Sequence, residues 1–150
     1  MKRIATALAA ISISVSALAG AWGDGSFEND DALDWVSQCT QSACLDTISA
    51  ALNNAIKAKF IEASEGAVVI AASEVIAAAA GKPSPSLPPE LSNWLKKQPP
   101  AKLLELAPKA RLALARVRDP KASELNQLWS EGKKNEWAKR VQELEGRLGN

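Results

Sequence analysis

Histidine is missing altogether from this chain of 150 residues. That absence removes the commonest general base, the commonest zinc ligand and the usual side-chain switch near neutral pH. It also excludes a Ser-His-Asp nucleophile set. Only two cysteines are present, and without histidine they leave too few ligands for a zinc site; no metal and no cofactor is expected. Neither sign of charge dominates, with 18 basic against 17 acidic residues, which excludes a strongly basic nucleic-acid binder. No glycine-rich phosphate loop and no nucleophile elbow occur. Sustained two-residue alternation is lacking and β-branched residues are few, so a sheet is not expected. What remains is an ordinary globular composition, 47% hydrophobic and 23% charged, with room for one core.

The first residues read as an address. Met1-Lys2-Arg3 gives a positive start, Ile4 to Val15 carries no charge, and Ala17-Leu18-Ala19 places small residues where a signal peptidase reads. The pattern predicts a secretory signal peptide over residues 1–19, cleaved after Ala19. Its apolar stretch is short for a membrane span, and no transmembrane segment is expected after cleavage. An exported protein meets an oxidising compartment, so Cys39 and Cys44 are expected to form a disulfide. Five residues apart, they require a turn between them rather than one straight helix.

Helical periodicity runs through the rest, residues 20–150, expected to form one domain. Asn29, Asp30 and Asp31 offer capping side chains for a first helix from about Asp30 to Cys39. Leu45, Ile48, Leu52, Ile56 and Phe60 recur at spacings of three and four, one apolar face of a helix from about Ala43 to Ile61. Gly66 to Ala80 has only Ser73 and Glu74 as polar residues, which predicts a central helix surrounded by the others and stopped at Gly81. Lys82 to Pro89 contains four prolines and reads as a turn segment. Beyond it, Leu91, Trp94 and Leu95 mark a short helix, and Leu103 to Val117 a longer one that Pro108 kinks or splits. Leu125, Leu128 and Trp129 mark the next; Trp137, Val141, Leu144 and Leu148 the last. The expected fold is all-α, about six or seven helices in an irregular bundle.

Charge divides the chain. Residues 20–81 hold nine acids and two bases, whereas residues 82–150 hold eight acids and 14 bases. Two halves folded against each other with charges facing across the joint would explain this. So would a dipolar surface that steers a charged partner.

The stretch Gly20-Ala21-Trp22-Gly23-Asp24-Gly25-Ser26-Phe27-Glu28-Asn29-Asp30-Asp31-Ala32-Leu33-Asp34-Trp35 resembles the opening G-A-W-G-x-G-x-F-x-N-D-x-A-x-D-W of a bacterial family, domain of unknown function 4259. The likeness continues through Ala71-Ala72-Ser73-Glu74-Val75-Ile76-Ala77-Ala78, Leu87-Pro88-Pro89-Glu90-Leu91 with Trp94, and Ser123-Glu124-Leu125, Leu128-Trp129, Trp137 and Arg147-Leu148. It implies extent and fold; the family brings no catalytic residues with it. The leader and the cysteine pair stand outside the family's pattern.

No catalytic residue is assigned. The candidate binding residues are Trp22, Asp24, Phe27, Asn29, Asp30, Asp34, Trp35 and Glu74. In the opening arm, aromatics can anchor in the core while Asn and Asp cap a helix. Alternatively, the acids from Asp24 to Asp34 could gather a hard cation such as calcium, although their spacing is not that of a calcium loop. Glu74 stands alone in an apolar helix, where an ionised carboxylate needs a partner. Arg111, Arg116, Arg118, a Trp N–H or a helix first turn could serve; the alternative is a raised-pKa acid lining a pocket. Trp94, Trp129 and Trp137 stand at core-facing spacings. The Lys and Arg of residues 102–118 alternate with apolar residues, as on a solvated helix face. Together these features point to an exported, periplasmic, non-enzymatic module that binds another protein, an immunity-type inhibitor being one version. The competing expectation is a cell-wall glycan binder or hydrolase using exposed Trp and the acids around Glu28 to Asp34.

Overall fold

The computed structural model describes residues 23–131 and 136–149; the expected signal peptide and Trp22 lie outside the described residues. Within them the chain forms eight helices: α1 (Asp30–Gln41), α2 (Cys44–Lys57), α3 (Ala63–Ala79), α4 (Pro89–Leu95), α5 (Pro100–Leu104), α6 (Ala107–Val117), α7 (Glu124–Ser130) and α8 (Glu136–Arg147). No strand occurs among the described residues; one isolated parallel bridge joins Ile61 to Ser123.

α3 organises the rest. Its residues Val69 to Ala77 are buried without a break, and it packs against each of the other seven helices. A helix apolar on every face can only be stable when surrounded, and small alanines let neighbours approach closely. Its ends are built to stop. Glu62 and Glu65 form a reciprocal capping box at the start. At the other end Gly81 takes φ 78° while Gly81 N–H donates to Ala78 and Lys82 N–H to Ala77, a Schellman motif.

The expected turn between the cysteines is present: Cys39 lies in the last turn of α1, Cys44 opens α2, and the two are bonded with Cα atoms 4.3 Å apart. The bond fixes the α1–α2 corner. The helix expected over Leu103 to Val117, kinked or split by Pro108, is two pieces, and this adds the eighth helix. The break falls at Glu105–Leu106, ahead of Pro108, which sits in the first turn of α6 where its missing N–H costs nothing.

Ile61 and Glu124 supply a clamp that periodicity does not reveal. Ile61 N–H donates to Ala122 at 2.8 Å and Glu124 N–H to Ile61 at 3.0 Å. Glu124 Oε2 then accepts from Ala63 N–H at 2.8 Å, satisfying an open donor in the first turn of α3 from a distant element. The start of α7 is thereby fixed to the start of α3. At their crossing stands Gly66, where an added Cβ would lie 3.2–3.3 Å from Leu125.

Candidate functional site

Two polar constellations flank the arm that precedes α1. The arm itself, residues 23–29, curls around one carboxylate. Glu28 Oε2 accepts from Gly25 N–H at 2.9 Å, and Gly23 N–H and Glu28 N–H close the loop through Glu28 and Gly25 carbonyls. A Cβ on Gly23 or Gly25 would sit 2.9 Å from the Glu28 carboxyl carbon, so either side chain would push that carboxylate out of the loop. Phe27 is buried and anchors the arm in the core, and Asn29 Oδ1 accepts from Ala32 N–H at 2.7 Å, capping α1. The capping and anchoring expected for these residues are what the structure shows.

On one side of the arm lies a polar cleft of about 290 Å³, lined by Ser26, Glu74, Ser84, Arg140, Glu143 and Arg147 among others. Glu74, only 2% exposed, receives Arg147 Nη2 on Oε1 at 2.7 Å and Nη1 on Oε2 at 2.8 Å. Ser26 Oγ adds a third hydrogen bond at 2.7 Å. Arg147 Nη1 also donates to the Lys82 carbonyl at 3.1 Å. One turn pair earlier on α8, Arg140 meets Asp24 at 3.1 Å. A bidentate pair with a further donor offsets the desolvation of a buried carboxylate.

The partner of Glu74 therefore differs from the three arginines named from sequence. Arg111 donates to the Gly149 carbonyl, Arg116 to the Ala58 carbonyl at the C-terminal cap of α2, and Arg118 to Glu145 at 2.6 Å. Glu74 looks instead toward α8, whose register places Arg140 and Arg147 seven residues apart on one face. Both of these contacts join the acidic half of the chain to the basic half, so part of the charge asymmetry is spent across the joint.

On the far side of α1 lies an open groove of about 500 Å³ between α1, α2 and the start of α3. Trp35, Ala51, Ala55 and Val68 give it an apolar floor; Asp31, Asp34, Gln38, Asn54, Ser64 and Glu65 form its rim. The two differ in how far their charges are used. Among the described residues, neither Asp31 nor Asp34 makes a side-chain hydrogen bond or ion pair, and the rim contains no base. Trp35 is 6% exposed, yet its Nε1–H has no hydrogen-bond partner, a burial cost of about 1–3 kcal/mol. A smaller cavity of about 80 Å³ beneath the arm touches both regions, sharing Asp31 with the groove and Gly25, Ser26 and Arg140 with the cleft.

The sequence-derived candidates thus separate. Glu74 belongs to the cleft; Asp24 lines the smaller cavity and pairs with Arg140 of the cleft; Asp34 and Trp35 belong to the groove; Phe27 and Asn29 are structural; Asp30 is exposed in the first turn of α1. Arg140 and Arg147 were missed because nothing in their local pattern separates them from other basic residues of α8. Among the described residues no group of three or more acids or cysteines is placed to hold a metal ion. Trp137 is buried, and Trp94 and Trp129 are partly buried against the core.

The model of the family described as Domain of unknown function (DUF4259) matches residues 20–140. The chain belongs to that family. The match takes in the arm, both flanks of the groove and Arg140 of the cleft, while Arg147 lies beyond it. No curated protein and no solved structure matches the chain. Among the described residues of this DUF4259 protein, no helix is long and apolar enough to cross a membrane.

Proposed function

We propose that this DUF4259 protein is exported, acts in the periplasm, and is a non-catalytic module that binds another protein through the groove between α1, α2 and α3. The observation that carries the reading is the contrast between its two polar regions. At the cleft and its edge, Glu74 pairs with Arg147 and Arg140 with Asp24 of the arm. In the groove, Asp31 and Asp34, which have no side-chain partner among the described residues, stand at the rim of an apolar floor. An apolar centre with a polar rim is the usual anatomy of a protein-binding patch. The disulfide and the leader-like opening support export. The glycan reading finds acids in the groove, but the indole beside them is buried and offers no open face for stacking a sugar.

The test is capture from periplasmic extract with the mature chain and with a Gln38→Trp variant, which fills the groove from its exposed rim. The reading expects a stoichiometric protein held by the natural chain and released by the variant. Equal retention by both, or retention of the natural chain on isolated peptidoglycan with no protein partner, would contradict it.

A further inference from the structure

We propose that the groove is a receptor for an arginine side chain presented by the partner protein. The inference rests on the protein-binding reading above and names the chemistry of what enters. Three rim carboxylates, Asp31, Asp34 and Glu65, come from two helices and face an opening with no lysine or arginine among the described residues of its lining. Glu65 Oε2 accepts from the Glu62 N–H in the capping box at 3.1 Å; Asp31 and Asp34 have no side-chain partner among the described residues. Like charges gathered without a counter-charge repel one another, and a cation placed among them removes that repulsion.

The floor selects among cations. Trp35, Ala51, Ala55 and Val68 are apolar and partly or fully buried, which suits the methylene stem of a long side chain with its charge held at the rim. A planar guanidinium fits this surround better than an ammonium. It is more weakly hydrated, and it spreads five donors over several carboxylates. Trp35 supplies an independent observation: it lines the groove, and its Nε1–H is buried without a hydrogen-bond partner among the described residues, so that an acceptor reaches it once the indole turns toward the opening. A bound main chain brings carbonyl oxygens, and an acceptor there would remove a standing cost. Asn54, Gln38 and Ser64 on the rim offer further donors and acceptors to that main chain.

The probes are two peptides, acetyl-Ala-Arg-Ala-amide and the same peptide with neutral citrulline in place of arginine, titrated into the ¹⁵N-labelled mature protein. The arginine peptide is expected to shift the backbone amides of α1 near Asp34 and the Trp35 indole N–H saturably. The citrulline peptide, or the Asp31→Asn/Asp34→Asn variant, is expected to raise the dissociation constant by about tenfold or more, the loss of a charge-assisted contact. Circular dichroism of the variant verifies the fold, since both aspartates are exposed. Equal shifts from both peptides, or none from either, would overturn the arginine assignment. If the Gln38→Trp variant still loses the captured partner in that case, protein binding at the groove stands and only its chemistry is wrong. If that variant keeps the partner, the groove is not the interface at all. Salt-sensitive dimerisation abolished by the same Asn substitutions would also overturn the proposal, giving the groove to a second copy's basic half.

Discussion

At the scale of single residues, the fate of Glu74 shows how a polar residue in an apolar helix is read correctly in kind and wrongly in detail. Burial and pairing with an arginine follow from the cost of an isolated carboxylate. Which arginine is chosen depends on the rotation of α8 about its axis, and local periodicity does not fix that. The pair has a testable consequence. Arg147→Met leaves Glu74 buried with only Ser26 as a partner and is expected to destabilise by about 2–3 kcal/mol, less than for a fully buried pair because Arg147 is 27% exposed. The double variant Glu74→Leu/Arg147→Met is expected to recover much of that loss, since an apolar pair carries no desolvation cost. Urea unfolding of the singles and the double measures the cycle; additive losses would show that the two residues act independently. The sequence narrowed the cap to Asn29, Asp30 or Asp31 and the structure selects Asn29; Asn29→Ala is expected to cost about 1 kcal/mol by the same measurement.

At the scale of elements, helix positions were legible because the apolar spacing of a helix is local, and so were the ends at Asn29 and Gly81. The clamp of Ile61 and Glu124 on the start of α3 was not. It joins segments some 60 residues apart through two backbone hydrogen bonds and one Glu124 carboxylate oxygen, and neither backbone bonding nor a lone glutamate marks such a junction in the sequence. Gly66 marks the same junction. Gly66→Leu is expected to drive α7 from α3 and lower the thermal midpoint by several degrees, corresponding to about 1–3 kcal/mol of overpacking. An unchanged midpoint would mean that α7 is loosely held. The Cys39–Cys44 bond closes a short loop, so its contribution is modest. Reduction, or Cys39→Ser/Cys44→Ser, is expected to cost about 2 kcal/mol and to leave the helical content intact. Loss of helical signal on reduction would assign the bond a larger part in the fold.

At the scale of the whole molecule, charge asymmetry was visible at once, whereas its use was not. Asp24 and Glu74 are consumed by Arg140 and Arg147 across the joint between the halves, and Asp31 and Asp34 are left facing out. The difference comes from placement: Asp24 in the arm and Glu74 on α3 meet α8, whereas Asp31 and Asp34 on α1 border the groove with α2 and the start of α3. The acids of the opening segment look alike in sequence; the fold divides them into a fastened arm and an open groove. That division is the basis for reading the groove as a binding surface.

The most direct test of that reading is site-specific photo-crosslinking in cells that naturally produce the protein. A benzophenone amino acid is placed at Gln38 on the groove rim, and, in a second preparation, at exposed Leu112 on α6. The account predicts a discrete protein adduct from position 38, lost when Asp31 and Asp34 are changed to Asn, and no such adduct from position 112. An adduct from position 112 alone, or one from position 38 that survives neutralisation of both aspartates unchanged, would contradict it.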